Sequence, residues 1–146
     1  THLDSANACS NWEDVWGQPF FGTAATPACS GGCKFNIFDG AGNSAGLVQA
    51  SSAGTPALGT WYFVVAWRDK TAGTVNIQVN NGVVNSQAES AATTDTTAGF
   101  KIGAFAEPAS TFWDGRIDEV GFWKKVLTAQ ERTDLYNGGT GNTYNP

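Results

Sequence analysis

The chain has 146 residues, enough for one domain with a genuine core, and its 13 acidic and 8 basic side chains give a net charge of −5. Charged residues are 14% of the chain, against a globular average of about 25%, while six Trp, nine Phe and three Tyr supply large apolar volume. The aromatics exclude a disordered chain, and the scattered bases (only Lys124 and Lys125 adjoin) exclude a footprint for duplex nucleic acid; no apolar run nears the roughly 18 residues of a membrane helix.

In chain order, the first 58 residues offer short strand candidates at 12–16, 18–21, 34–38 and 47–50, with 24–32 reading as loop by composition. In 34–38, Phe35 and Ile37 alternate with Asn36 and Phe38, and Asp39-Gly40 ends the run. Residues 60–68 form the clearest strand. Trp61, Phe63, Val65 and Trp67 share one face, and Tyr62, Val64 and Ala66 the other, which predicts a central strand between two layers. Trp61, Trp67 and Trp123 are expected in the core. Val75, Ile77 and Val79 alternate with Asn76, Gln78 and Asn80, which predicts one buried and one wet face. Asn81-Gly82 then predicts a type I′ hairpin turn into Val83.

Residues 85–97 begin as a strand and become loop, and Phe100, Ile102 and Ala104 resume the alternation until Glu107-Pro108. Residues 116–124 are rich in β-formers (Ile117, Val120, Phe122, Trp123) and read as a strand. Its apolar parity slips between Ile117 and Val120, so either both faces are covered or a bulge lies near Asp118-Glu119. Thr128 and Glu131 have capping-box spacing, and Asn137-Gly138-Gly139 tolerates positive φ at a helix end. One short helix therefore trails a run of strands.

The three cysteines are Cys9, Cys29 and Cys33. Cys29 and Cys33, in Cys-Ser-Gly-Gly-Cys, could close a small ring, leaving one thiol unpaired or bonded outside the chain. With His2 the only His, the ligands for zinc are too few. Loop cysteines point toward an oxidising compartment.

GTWYFVVAWRD at 59–69, TVNIQVNNG at 74–82, FKIGAF at 100–105 and DGRIDEVGFWKKVLTAQERTDLYNGGTG at 114–141 together resemble a laminin G-like domain of the concanavalin A-like lectin/glucanase superfamily. The four blocks occur in the family's order, and residues 1–58 match less clearly. The resemblance implies an all-β fold, an antiparallel jelly-roll β-sandwich with one short C-terminal α-helix, with 1–146 as one domain. It also implies strands ahead of the matched region, including a first strand that pairs near the last. Because the chain begins at Thr1 and contains no Met, the expectation is that N-terminal strands are missing or that the chain is part of a larger protein. Divergent replacement by residues 1–58 is the second choice.

Glycoside hydrolysis needs two carboxyl groups across the scissile bond. Some glucanases of the superfamily carry Glu-x-Asp-x-Glu on one strand, but here Arg116 and Val120 stand where the flanking Glu would be. Asp118 and Glu119, being neighbours, would face opposite ways on a regular strand, so Asp118 is read as structural. With no nucleophile elbow and no Cys/His pairing, the chain is read as non-enzymatic. The resemblance leaves calcium open as a cofactor, with Asp39 and Asn43 the main candidate oxygen donors and Asp114 a further one; turn formation by the same residues is the preferred reading. Trp113 and Asp114, at a turn before the last strand, are the candidate ligand-binding residues for sugar. Trp12 and Trp16 are alternative platforms, although core packing accounts more simply for most Trp.

The implied work is recognition of glycan or a surface protein, as an adhesion module on a cell or virion, extracellular, with neither nucleic acid nor membrane insertion. A structural component of an assembly, such as a phage capsid decoration or fibre protein packed against neighbouring subunits, is the rival. A glycan-active hydrolase stands third.

Overall fold

Ten strands, the longest of them rich in β-branched and aromatic residues, lie among the residues that the structure, a computed structural model, describes: 2–5, 20–23, 33–38, 44–54, 56–57, 59–91, 93, 104–105, 110–112 and 115–142. They are β1 (His2–Ser5), β2 (Phe20–Thr23), β3 (Cys33–Phe38), β4 (Ser44–Gln49), β5 (Trp61–Asp69), β6 (Thr74–Val79), β7 (Asn85–Ala88), β8 (Ala104–Phe105), β9 (Ser110–Phe112) and β10 (Gly115–Asp118). One α-helix, α1 (Ala129–Tyr136), follows. A five-stranded sheet runs β10-β1-β5-β6-β7, a three-stranded sheet runs β2-β3-β4, and β8 pairs with β9. Every pairing is antiparallel. The all-β sandwich with a short C-terminal helix matches the expectation.

The core lies between the two larger sheets. Phe35 and Ile37 of β3 and Ala45 and Val48 of β4 pack with Val64 of β5 and Val75, Ile77 and Val79 of β6. Each large side chain buried this way contributes about 1.5–3 kcal/mol. The β3–β4 register shifts between Ile37 and Phe38. That bulge lets the successive residues Ala45 and Gly46 both be buried. Gly46 is required by the close approach of the sheets, since a Cβ there would stand 3.0 Å from Val75 Cγ1.

β5 is the central strand that its two apolar faces predict, with β1 on one side and β6 on the other. β1 also pairs with β10, so that His2 stands opposite both Asp118 and Phe63. A first strand paired with the last is thus formed by residues of this chain.

Three expectations need correction. First, the polar face of β6 is not wet: Asn76 and Gln78 are buried. The C-terminal helix covers it, because Arg132 of α1 donates from Nε to Gln78 Oε1 at 2.7 Å. Second, the hairpin turn sits one residue earlier than Asn81-Gly82. Asn80 and Asn81 take positive φ, 49° and 54°, and Gly82 N donates to Val79 O at 2.9 Å, as a type I′ turn requires. Third, the strand expected over 116–124 ends at Asp118. Glu119 adopts φ 51°, which breaks the extended line and resolves the parity slip.

The helix follows its local signals. Thr128 Oγ1 accepts from Glu131 N, and Glu131 Oε2 accepts from Thr128 N at 2.8 Å, a complete capping box. Asn137, in the left-handed region, closes the other end.

At the β5–β7 end, Arg68 and Glu89 form a two-point ion pair, with Nη2 to Oε2 at 2.8 Å. The hydrogen bonds from Arg68 hold the Glu89 carboxyl below its ordinary value of 4.5. Because the folded value is the lower one, the pair's stabilisation is complete above that ordinary value and is lost as pH falls through the folded value. Glu89→Gln should therefore be less stable than the parent at neutral pH and converge with it in acid. Urea unfolding as a function of pH checks this; a constant difference across the range would refute it.

Candidate functional site

The chain leaves the sheet at a turn that its own side chains build. Asp118 Oδ1 accepts from Glu119 N at 2.9 Å, which fulfils the structural role expected of Asp118. The following segment, 120–126, contains Val120, Phe122, Trp123 and Val126, all exposed. Phe122 is 62% accessible and Trp123 46%. The lack of a side chain at Gly121 makes room for Trp123: a Cβ there would meet the indole at 2.6 Å, so the ring lies folded across the Gly121 backbone.

The end of the segment is anchored more firmly. Leu127 is buried, its carbonyl accepts from Arg132 Nη1 at 2.5 Å, and Lys125 pairs with Glu131. That pairing, with the Thr128 amide, lowers the pKa of the Glu131 carboxyl.

Beneath lies a buried cation. The Arg132 guanidinium stacks on Trp67, 4.5 Å from the ring centroid, and among the described residues it donates to the neutral Gln78 Oε1 and Leu127 O. Burial lowers its pKa below the ordinary guanidinium range, and the group stays charged regardless. Tyr136 packs on Phe63 with ring centroids 5.7 Å apart, and Asn81 Nδ2 donates to Thr133 Oγ1 at 3.2 Å. These contacts fix α1, and with it 120–126, against the outer face of the sheet. Farther along that face, the Arg116 guanidinium stands 5.1 Å from the Trp61 ring centroid, and Trp61 is 39% accessible.

The core assignment of Trp61 and Trp123 is therefore corrected. Trp61 lies on the outer face near the sheet edge, and Trp123 lies past the point where the strand stops. Trp67 is half-buried under Arg132. Of the expected site residues, Trp113 and Asp114 lie outside the described residues, between β9 and β10. Asp39 and Asn43 also lie outside them, between β3 and β4, as do Cys9, Cys29, Trp12 and Trp16. Cys33 opens β3. Among the described residues, no group of three or more His, Cys, Asp or Glu is placed to hold a metal ion. Phe122 and Trp123 were missed as surface residues because they read as strand; the parity slip at Asp118-Glu119 was the available signal.

Comparison with family models gives a match over residues 16–131 to laminin G domains of the concanavalin A-like lectin/glucanases superfamily. The chain belongs to this family. The laminin G match spans β2 to the first turn of α1, so it reaches well into the first 58 residues, where resemblance by motif was faint. No curated protein and no solved structure matches the chain. Laminin G-like domains are typically non-catalytic, extracellular modules that often bind carbohydrate or protein, in a superfamily that also includes glycosidases. No described helix of this laminin G domain is long and apolar enough to cross a membrane. Its aromatic segment 120–126 lies inside the matched region, and Arg132, which anchors it, lies just beyond.

Proposed function

We propose that this laminin G domain is a non-catalytic adhesion module that recognises glycan or protein at a cell or virion surface. The reading is carried by one observation, the exposed Phe122–Trp123 pair held on a firmly anchored segment. Large exposed aromatics cost solvation unless a partner covers them, and aromatic side chains dominate the energetics of recognition surfaces. An indole face suits stacking on a sugar ring or a partner's apolar side chain, and Lys124 and Lys125 provide donors beside it. Trp113 and Asp114, the residues that the sequence puts forward for sugar, are proposed as ligand contacts in their own right.

The double variant Phe122→Ser, Trp123→Ser should keep the fold and lose at least tenfold in affinity for any ligand found on a glycan array or among surface proteins. The array is run with and without calcium, which also tests Asp39 and Asn43 as donors. Unchanged affinity in the variant would refute the assignment of this segment. Val120 and Val126, aliphatic and exposed beside the aromatics, favour burial against neighbouring subunits as the second reading. Native mass spectrometry that finds only monomer would remove it.

A further inference from the structure

We infer that Asn137-Gly138, at the end of α1, is a site of spontaneous deamidation, whereas the fold protects the chain's other Asn-Gly pair, Asn81-Gly82, from the same reaction. Asn followed by Gly offers this reaction the least steric resistance, because no Cβ shields the attacking nitrogen. The glycine backbone nitrogen attacks the asparagine Cγ, and the new N–Cγ bond closes a five-membered succinimide ring. The side-chain nitrogen leaves as ammonia, taking up the proton that the glycine amide loses. Water then opens the ring. Addition at Cγ gives aspartate, and addition at the main-chain carbonyl carbon gives isoaspartate, whose backbone runs through Cγ and is one carbon longer.

At Asn81 both reacting groups are held. Gly82 N donates to Val79 O at 2.9 Å, so the nucleophile is committed to the type I′ turn. Asn81 Nδ2 donates to Thr133 Oγ1 at 3.2 Å, and Asn81 Oδ1 accepts from the buried Gln78 at 3.3 Å. Reaction there requires undoing the turn together with its links to Gln78 and α1.

At Asn137 the holding contacts are local, and Asn137 and Gly138 are both exposed. The Asn137 side-chain amide donates to Gly141 O at 3.0 Å, and its backbone carbonyl accepts from Thr140 N at 3.2 Å and Thr140 Oγ1 at 2.8 Å. These partners sit on the same helix exit, so they open together. In the closed cap, φ 45° and ψ 51° place Gly138 N on the far side of the Cα–C bond from the side chain. Attack therefore waits for the helix end to fray, an opening of low cost at a terminus.

The products cannot rebuild the cap. Aspartate at 137 loses the donor to Gly141 O and sets a negative charge at the negative end of the helix dipole. The last turn has no basic residue there, and Asp134 already stands three positions back. Isoaspartate also lengthens the path from Tyr136 to Thr140. That breaks the register of the return bonds from Gly141 N to Tyr136 O (3.1 Å) and from Asn142 N to Leu135 O (3.2 Å). Because Tyr136 rests on Phe63, this end of α1 then loses its grip on the sheet.

The test stores the intact chain in mildly alkaline buffer and follows both pairs by peptide mapping and mass spectrometry, which read the exchange of –NH2 for –OH. In the folded chain Asn137 should convert at least tenfold faster than Asn81. In urea the two pairs should convert at similar rates, since the fold no longer distinguishes them. In the converted fraction, amide hydrogen exchange at Gly141 and Asn142 should quicken at least tenfold, while Glu131, inside the capping box, stays unchanged. Asn137→Gly, which keeps a left-handed cap without a reactive amide, should abolish both changes. The inference is overturned if Asn81 converts as fast as Asn137 in the folded chain, or if Asn137 converts only in urea. It is equally overturned if the preference for Asn137 persists in urea, or if converted chains keep slow exchange at Gly141 and Asn142. Phe122 and Trp123 take no part, so the surface-recognition reading stands or falls on its own test.

Discussion

Arg132→Ala should lower the stability of the domain by about 3 kcal/mol, with the C-terminal helix losing its protection first. The truncation leaves two buried acceptors, Gln78 Oε1 and Leu127 O, without their donor. It also removes the stack on Trp67, an interaction of about 0.5–2 kcal/mol. Arg132→Lys should recover only part of the loss, because an ammonium cannot reproduce a planar fork that both stacks and donates in two directions. A double-mutant cycle between Arg132 and Gln78, followed by urea unfolding, should give a coupling of about 1–2 kcal/mol. Coupling near zero would mean that the guanidinium is merely lodged on the sheet. Because the same arginine anchors Leu127, its loss should also loosen 120–126 and weaken ligand binding without any change to Phe122 or Trp123.

Ile77→Ala should be the most damaging single truncation, at about 4 kcal/mol. Ile77 is fully buried on β6, where Phe35, Val48, Val64 and Val75 belong to the same cluster. The loss combines the transfer energy of the removed carbons with a cavity that two apposed sheets cannot close. Gly46 sharpens the point, since the sheets already approach so closely there that a single added carbon would crowd Val75. For a domain of this size, thermal unfolding should fall by roughly 10 °C. Val83, 69% accessible in the turn region, supplies the contrast: Val83→Ala should change stability by less than about 0.5 kcal/mol. If the two variants unfold at similar temperatures, the assignment of the core between the sheets is wrong.

Much of this architecture was legible from local chemistry. The capping box at Thr128 and Glu131 and the left-handed Asn137 were readable because each uses contacts within a few residues. The central position of β5 followed from apolar residues on both faces. The candidate site was legible only in part. Phe122 and Trp123 stood out as strand formers, and their exposure depends on a strand that stops at Asp118. The other candidates, Trp113 and Asp114 for sugar and Asp39 and Asn43 for calcium, lie outside the described residues.

Short-range periodicity was enough to establish an antiparallel sandwich rich in aromatic side chains and closed by a single capped helix. Alternation and capping are governed by neighbours a few positions apart, so the order of residues reports them directly. What covers each sheet face required the folded chain. Gln78 looks solvent-facing on its own strand, and its partner Arg132 lies 54 residues away. The exposure of Trp61 depends likewise on which segments come to rest beside it, a matter of long-range packing, whereas that of Trp123 left only the parity slip at Asp118-Glu119 as a local trace.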